Sequence, residues 1–163
     1  MKYNRFEELP VWRDAIELAV RVFDLTARSE FQGYYGIRDQ LERAAVSISN
    51  NVAEGFERGT TQETITFLYI SKGSSGESRS LTYLLERLPR FRDLRSEILD
   101  IRNRAESISK QLRRWLDSLQ NTDIKGQRYL NDKSRRLAEA KKDREERNKE
   151  WEQYRYKGKA SIE

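Results

Sequence analysis

The 163-residue chain contains neither cysteine nor histidine. Without thiols there is no disulfide framework, no thiolate metal site and no redox chemistry to expect. Without imidazole as well, the usual general base, metal ligand and strong nucleophile are missing. Paired carboxylates on facing helices can hold metals, but the Glu-x-x-His elements of such sites are impossible here. No apolar run approaches the roughly 20 residues of a membrane span. The opening MKYNRFEELP lacks the apolar core of a signal peptide. No β-type alternation is present. The expectation is a non-catalytic cytoplasmic protein with no cofactor, no metal and no membrane partner.

What the chain does have is charge and helical periodicity. Charged residues make up 36% of it, with 32 basic against 27 acidic side chains, net +5. That leaves a modest core, enough for long packed helices but not for a large globular enzyme. Pro10 suits the first turn of a helix in which Trp12, Ala15, Ile16, Ala19, Val22 and Phe23 recur at steps of three and four, through about Arg28. The stretch Ser29 to Gly36 reads as a connection. A second helix spans about Ile37 to Glu57, with Ile37, Leu41, Ala44, Ala45, Ile48 and Val52 inward. Thr60 and Glu63 have capping-box spacing for a third. That helix carries Ile65, Phe67 and Leu68 early and Leu81, Leu84, Leu85 and Leu88 late. After Pro89, the run Phe91, Leu94, Ile98, Ile101, Ala105, Ile108, Leu112, Trp115, Leu119 forms an unbroken heptad seam.

Lys72 to Ser78, KGSSGES, has two readings. Glycine and serine clusters usually mark a linker. Yet Phe67, Ser71, Ser74, Ser78, Leu81, Leu85 and Leu88 stay in helical phase across it. We therefore expect one continuous helix whose small residues, Gly73 and Gly76 included, let it sit against the alanine face of the second helix. Long helices with short connections then give an all-α fold, an up-down-up-down antiparallel four-helix bundle over residues 1–120. Residues 121–163 form a charged C-terminal extension, helical or disordered, with 13 basic and 9 acidic residues.

The segment Glu42 to Arg58, ERAAVSISNNVAEGFER, is unusually rich in small residues for a core helix. Asn51 and Glu54 lie one turn apart on it, so both point the same way. They read either as part of a solvated face or as a specified polar contact, with Arg43 or Arg58 as charged partner. This stretch resembles the four-helix-bundle proteins encoded by intervening sequences of bacterial 23S rRNA genes. The opening FEELPVW (Phe6 to Trp12) matches that family's start. The central motif matches at Arg43, Ala44, Ala45, Ser47, Ile48, Asn51, Ala53, Glu54, Gly55 and Arg58. A third element matches at Phe67, Leu68, Gly73, Ser74, Glu77 and Leu81. Ser49 stands where the family has proline, and Asn50 where it usually has serine. The resemblance covers about residues 6–120. It implies a bacterial protein that assembles as a homo-oligomer, a pentamer being favoured. It also implies kinship with accessory proteins of diversity-generating retroelements, which bind nucleic acid and a reverse transcriptase.

Two groups of candidate residues follow. The subunit interface is expected on the first two helices, at Trp12, Arg43, Asn51, Glu54 and Arg58, helped by exposed-looking Phe31, Tyr34 and Tyr35. For RNA or single-stranded DNA, nine basic residues against four acids lie between Arg87 and Arg114. Any one of them reads as part of a solvated face; the cluster suits phosphate. Arg92, Arg95, Arg102, Arg113 and Arg114 fall off the apolar seam and are expected to project toward solvent or a neighbour. The extension adds Arg135, Arg136, Lys141 and Lys142, near Tyr129, Trp151, Tyr154 and Tyr156, which are able to stack on bases. The competing reading is a ring-forming assembly or adaptor module that binds a protein partner without nucleic acid.

Overall fold

The computed structural model describes residues 3–58 and 60–121, with isolated positions at 140, 143, 144 and 147. The chain falls into two units, Met1–Gly126 and Gln127–Glu163. The first holds four helices: α1 (Pro10–Thr26), α2 (Tyr35–Glu57), α3 (Thr61–Arg87) and α4 (Arg95–Gln120). Each packs on its neighbours in sequence, and α4 closes the square against α1. Cross-helix contacts run in opposite directions along each pair. Arg28 near the end of α1 meets Glu97 at the start of α4, and Asp14 accepts from Gln111 Nε2 at 2.6 Å. On α3 and α4, Tyr69 meets Gln120 and Glu86 meets Arg95. The expected antiparallel four-helix bundle is the fold. Among the described residues, no helix is long and apolar enough to cross a membrane.

The ends of the helices follow local chemistry. Pro10 opens α1, where its missing N–H costs nothing. Thr60 caps α3 by accepting from the Glu63 backbone N–H at 3.2 Å, and its hydroxyl donates to the Glu63 carboxylate at 2.6 Å. Between α1 and α2 the chain makes one 3-10 turn, Ser29–Phe31, then reverses through Gly33, whose φ of 86° favours glycine. A longer 3-10 segment, Pro89–Leu94, links α3 to α4. Phe31, Tyr34 and Phe91 close this end of the bundle, with ring centroids 4.7 and 5.2 Å apart. Phe31 is buried and Tyr34 half-buried, and Trp12 packs edge-on to Phe6 at 5.1 Å. Of the four aromatics expected to need a partner subunit, only Tyr35 is left exposed.

The α1 stripe divides differently from its expected phase. Val11, Ala15, Leu18, Ala19, Val22 and Leu25 face the core, whereas Ile16, Val20 and Phe23 face out. On α4 the seam holds from Phe91 to Leu112, after which Leu116 is the buried residue and Trp115 and Leu119 are half-buried. An undistorted helix drifts against a strict seven-residue repeat, which moves the inward position by one.

The continuous α3 is confirmed, but its serines, not its glycines, meet the neighbours. Ser71, Ser75 and Ser78 are fully buried. The Ser71 hydroxyl donates to the Ile48 carbonyl on α2 at 2.9 Å, and the Ser75 hydroxyl to the Ala105 carbonyl on α4 at 2.6 Å. Donation across helices requires the backbones to lie close, and it satisfies hydroxyls that would otherwise be costly to bury. Gly73 and Gly76 point away, with no heavy atom within 4 Å of where a Cβ would stand. Gly55 on α2 is the glycine that a neighbour needs: an added Cβ would lie 2.8 Å from Phe67 Cβ and 3.3 Å from the Thr64 carbonyl oxygen. Alanine should therefore act with opposite sign at these sites. Gly73→Ala and Gly76→Ala should each stabilise by about 1 kcal/mol through helix propensity. Gly55→Ala should destabilise by about 1 kcal/mol, since overpacking of about 1–3 kcal/mol exceeds the same propensity gain. Thermal melting of the three variants checks the signs.

Candidate nucleic-acid interface

The arginine-rich start of α4 and the segment before it are mostly engaged within the chain. Arg90 donates to the Ser29 and Glu30 carbonyls at 3.1 and 3.3 Å, tying the two loops at one end. Arg104 pairs with Asp100 at 2.8 Å along its own helix. Arg95 reaches Glu86 at 3.3 Å and stays largely exposed. Arg92 is exposed and has no hydrogen bond or ion pair among the described residues.

Of the two directions expected for Arg102, solvent or a neighbour, it takes the neighbour, and only 9% of it is exposed. Its guanidinium bonds the Glu86 carboxylate at 2.6 Å, the Thr82 hydroxyl at 3.2 Å and the Thr82 carbonyl at 3.3 Å. It also lies 3.9 Å from the ring centroid of Tyr83, in cation–π range. The hydrogen bond from Arg102 is the main cause that holds the Glu86 carboxyl below its ordinary pKa, with Arg95 adding to it. Residue 102 follows the seam residue Ile101, and in a square bundle the buried arc is wider than the seam alone.

Further along, α3 and α4 together present a basic pocket of about 350 Å³ lined by Lys72, Ser109, Lys110, Arg113 and Arg114. Lys110 pairs with Glu106 at 2.8 Å and Arg113 with Asp117 at 2.9 Å. Lys72 and Arg114 have no ion pair among the described residues. So Arg113 and Arg114 are brought together, and they are joined by Lys72, which sequence reasoning missed. Tyr69, Lys72, Gly76, Arg79 and Tyr83 recur at alternating steps of three and four, so they share one face of α3. Tyr69 and Tyr83 are both exposed, 51% and 44%. The Tyr69 hydroxyl accepts from Gln120 Nε2 at 2.8 Å. Heptad spacing of aromatic, cation, glycine, cation and aromatic was the available signal; attention to arginine density on α4 passed over it. Arg135, Arg136, Lys141 and Lys142 lie outside the described residues, as do the aromatics of the extension.

The motif residues of α2 are also placed. Asn51 is half-buried, and its amide donates to the Ser47 carbonyl at 2.7 Å and the Ser47 hydroxyl at 2.9 Å. Ser47 in turn bonds Ser74 of α3 at 2.9 Å. Asn51 thus bonds within α2 and reaches α3 only through Ser47. Glu54 takes no part in that contact: its carboxylate and Arg58 form an i,i+4 pair at 2.6 Å, with side chains 47% and 50% exposed. The reason is that Arg58, on the same helix, reaches Glu54 at the surface, and its guanidinium stands 5.2 Å from the Phe67 ring centroid. That carboxylate contact raises the Arg58 pKa. Arg43 is exposed and pairs with Asp39 at 3.3 Å. Arg43 and Asn51 line a shallow groove of about 500 Å³ with Phe23, Val46 and Asn50. Through Phe23 that groove joins the exposed Ile16–Val20–Phe23 stripe of α1.

No curated protein shows a significant sequence match to this chain. A crystal structure of a protein of unknown function from the S23 ribosomal protein family of Bacteroides thetaiotaomicron superposes with a TM-score of 0.58 at 23% identity. The match covers 65% of this chain and 97% of that one, and it shows a shared fold. A model of the family described as 23S rRNA-intervening sequence protein matches residues 7–119, which span α1 to α4 almost completely. The chain belongs to the 23S rRNA-intervening sequence protein family.

Proposed function

We propose that this protein is a non-catalytic, oligomeric accessory protein that binds RNA or single-stranded DNA. The observation that carries the reading is the pocket of Lys72, Lys110, Arg113 and Arg114, where two helices bring four cations together and two of them have no ion pair among the described residues. Guanidinium and ammonium groups left unpaired on a shallow surface suit phosphates, whose contacts displace counterions. The C-terminal extension, with Arg135, Arg136, Lys141 and Lys142, supplies further cations. Assembly through α1 and α2 would multiply a modest net charge over several copies, strengthening attraction for a polyanion. A pentameric ring is the favoured arrangement, and a reverse transcriptase is the protein partner that the family resemblance suggests.

A second reading is favoured by the exposed Ile16, Val20 and Phe23 stripe: a ring or adaptor module that recognises a protein instead of nucleic acid. Oligonucleotide binding over a salt series separates the two. Lys72→Glu with Arg114→Glu should weaken binding more than 10-fold, and should lower the salt slope by roughly 1.5 through two lost phosphate contacts. Truncation after residue 122 should preserve the melting temperature of the bundle and weaken binding further. If the parent protein fails to bind at low salt, or both variants match it at every salt concentration, the adaptor reading replaces this one.

A further inference from the structure

We infer that the Tyr69–Lys72–Gly76–Arg79–Tyr83 face of α3 is a stacking track for single-stranded nucleic acid, in which the tyrosines receive unpaired bases and the cations the intervening phosphates. This rests on the nucleic-acid reading above and names the form of nucleic acid that the surface takes. The two tyrosines stand 14 residues apart, about 21 Å along the helix, room for about four nucleotides. Each ring is fixed before any ligand arrives. The Tyr69 hydroxyl is held by Gln120 Nε2 at 2.8 Å, and Tyr83 carries the Arg102 guanidinium at 3.9 Å. Half or nearly half of each residue is nevertheless exposed. A pre-fixed exposed ring loses little rotamer freedom when a base stacks on it.

Between the rings the surface is basic and low. Lys72 belongs to the pocket with Lys110, Arg113 and Arg114. Arg79, half-buried on the same face, adds a second cation between the rings. The acids that share the area are themselves engaged: Glu106 by Lys110 at 2.8 Å, Asp117 by Arg113 at 2.9 Å and Glu86 by Arg102 at 2.6 Å. Gly76 stands midway, with open space where a Cβ would be. An exposed glycine in mid-helix weakens the helix, and no neighbour within the bundle requires either Gly73 or Gly76. A strand lying along α3 does require them, because its backbone passes over these positions. Duplex bases are already stacked on one another, so the track selects single strands.

The test measures anisotropy of labelled RNA and DNA single strands of about 12 nucleotides, and of the matching duplexes, at several salt concentrations. The parent should bind single strands at least 10-fold more tightly than duplex, and the order of RNA and DNA identifies the preferred sugar. Tyr69→Ala should lose roughly 5- to 100-fold in affinity with an unchanged salt slope, as for a lost stack. Tyr69→Phe keeps the ring but not the Gln120 contact and should retain most of the affinity that Tyr69→Ala loses, which separates stacking from the lost hydrogen bond. Gly76→Leu should melt no lower than the parent yet bind more weakly, a combination that a purely structural role does not give. Equal affinity for duplex and single strands, or Tyr69→Ala binding like the parent, overturns the stacking track and leaves the basic surface standing. Absence of any nucleic-acid binding by the parent overturns both.

Discussion

Arg102→Ala is expected to lower the stability of the bundle by about 3 kcal/mol, the largest effect of any single charged residue in the described chain. The guanidinium is almost wholly out of water, with a carboxylate, a hydroxyl, a carbonyl and an aromatic ring around it. Truncation removes the ion pair and the aromatic contact, and strands the groups that faced it. A surface pair such as Arg113 with Asp117 is worth only about 0–1 kcal/mol, so Arg113→Ala serves as the control. Replacing Arg102 and Glu86 together by methionine should bring stability back toward the parent, because an apolar pair avoids desolvating two charges. Chemical denaturation of the four proteins checks the order. A loss for Arg102→Ala no larger than that for Arg113→Ala would refute the role given to this network. The same contact sets a pH dependence. The Glu86 pKa is depressed in the folded state, so its contribution is complete above the ordinary carboxylate pKa of about 4.3 and disappears as pH falls through the folded value. Acid should therefore erase part of the difference between the parent and Arg102→Ala.

Charge on the outer stripe of α1 is expected to reduce the assembly to monomers. Ile16, Val20 and Phe23 recur at helical spacing, and each is more than a third exposed in the single chain. Phe23 also borders the groove that contains Arg43, Val46, Asn50 and Asn51. In the proposed ring this continuous surface is the contact between copies. Val20→Glu with Phe23→Glu would place two carboxylates where water is excluded, at a cost of several kcal/mol per interface. Light scattering should then report the single-chain mass of 19.4 kDa at concentrations where the parent is several-fold heavier. The isolated bundle should stay folded, because neither side chain belongs to the core. Glu54→Ala should disturb assembly far less, its carboxylate already being paired with Arg58 at the surface. A parent that is monomeric at micromolar concentration, or a double variant that keeps the parent's mass, would remove the ring from the proposed function.

The architecture was legible because it depends on spacing. The α4 seam as far as Leu112, the Thr60–Glu63 cap and the phase kept across KGSSGES each follow from local geometry, and each stands in the structure. Side-chain partners depend on facing helices, and there the reading was weaker. The seam left Arg102 facing solvent or a neighbour, because a helix in a square bundle has two neighbours and spacing alone does not say which flank is covered; α3 covers it. Glu54 was grouped with Asn51 because the two lie one helical turn apart, on a solvated face or in a polar contact; the structure leaves Glu54 at the surface, paired with Arg58. The glycines of α3 were assigned to close packing by their size, whereas the contacts were made by serine, whose hydroxyl satisfies itself on a crossing backbone. Ile16 and Phe23 were grouped with the α1 stripe by their three- and four-residue steps, but that stripe is wider than the buried arc and both lie on its outer edge.

The hydroxyl-lined contact between α3 and its neighbours also bears on temperature. Seven of the nine buried residues of α3 are serine or threonine, and only Leu68 and Leu85 are large and apolar. Unfolding such a seam exposes polar surface together with apolar surface, and the two change the heat capacity in opposite directions. The heat-capacity increment should fall below the usual value of about 12–15 cal/mol/K per residue. A smaller increment flattens the dependence of stability on temperature. The bundle should thus keep a nearly even margin over a broad thermal range, and lose less of it on cooling than a leucine-packed bundle of equal length.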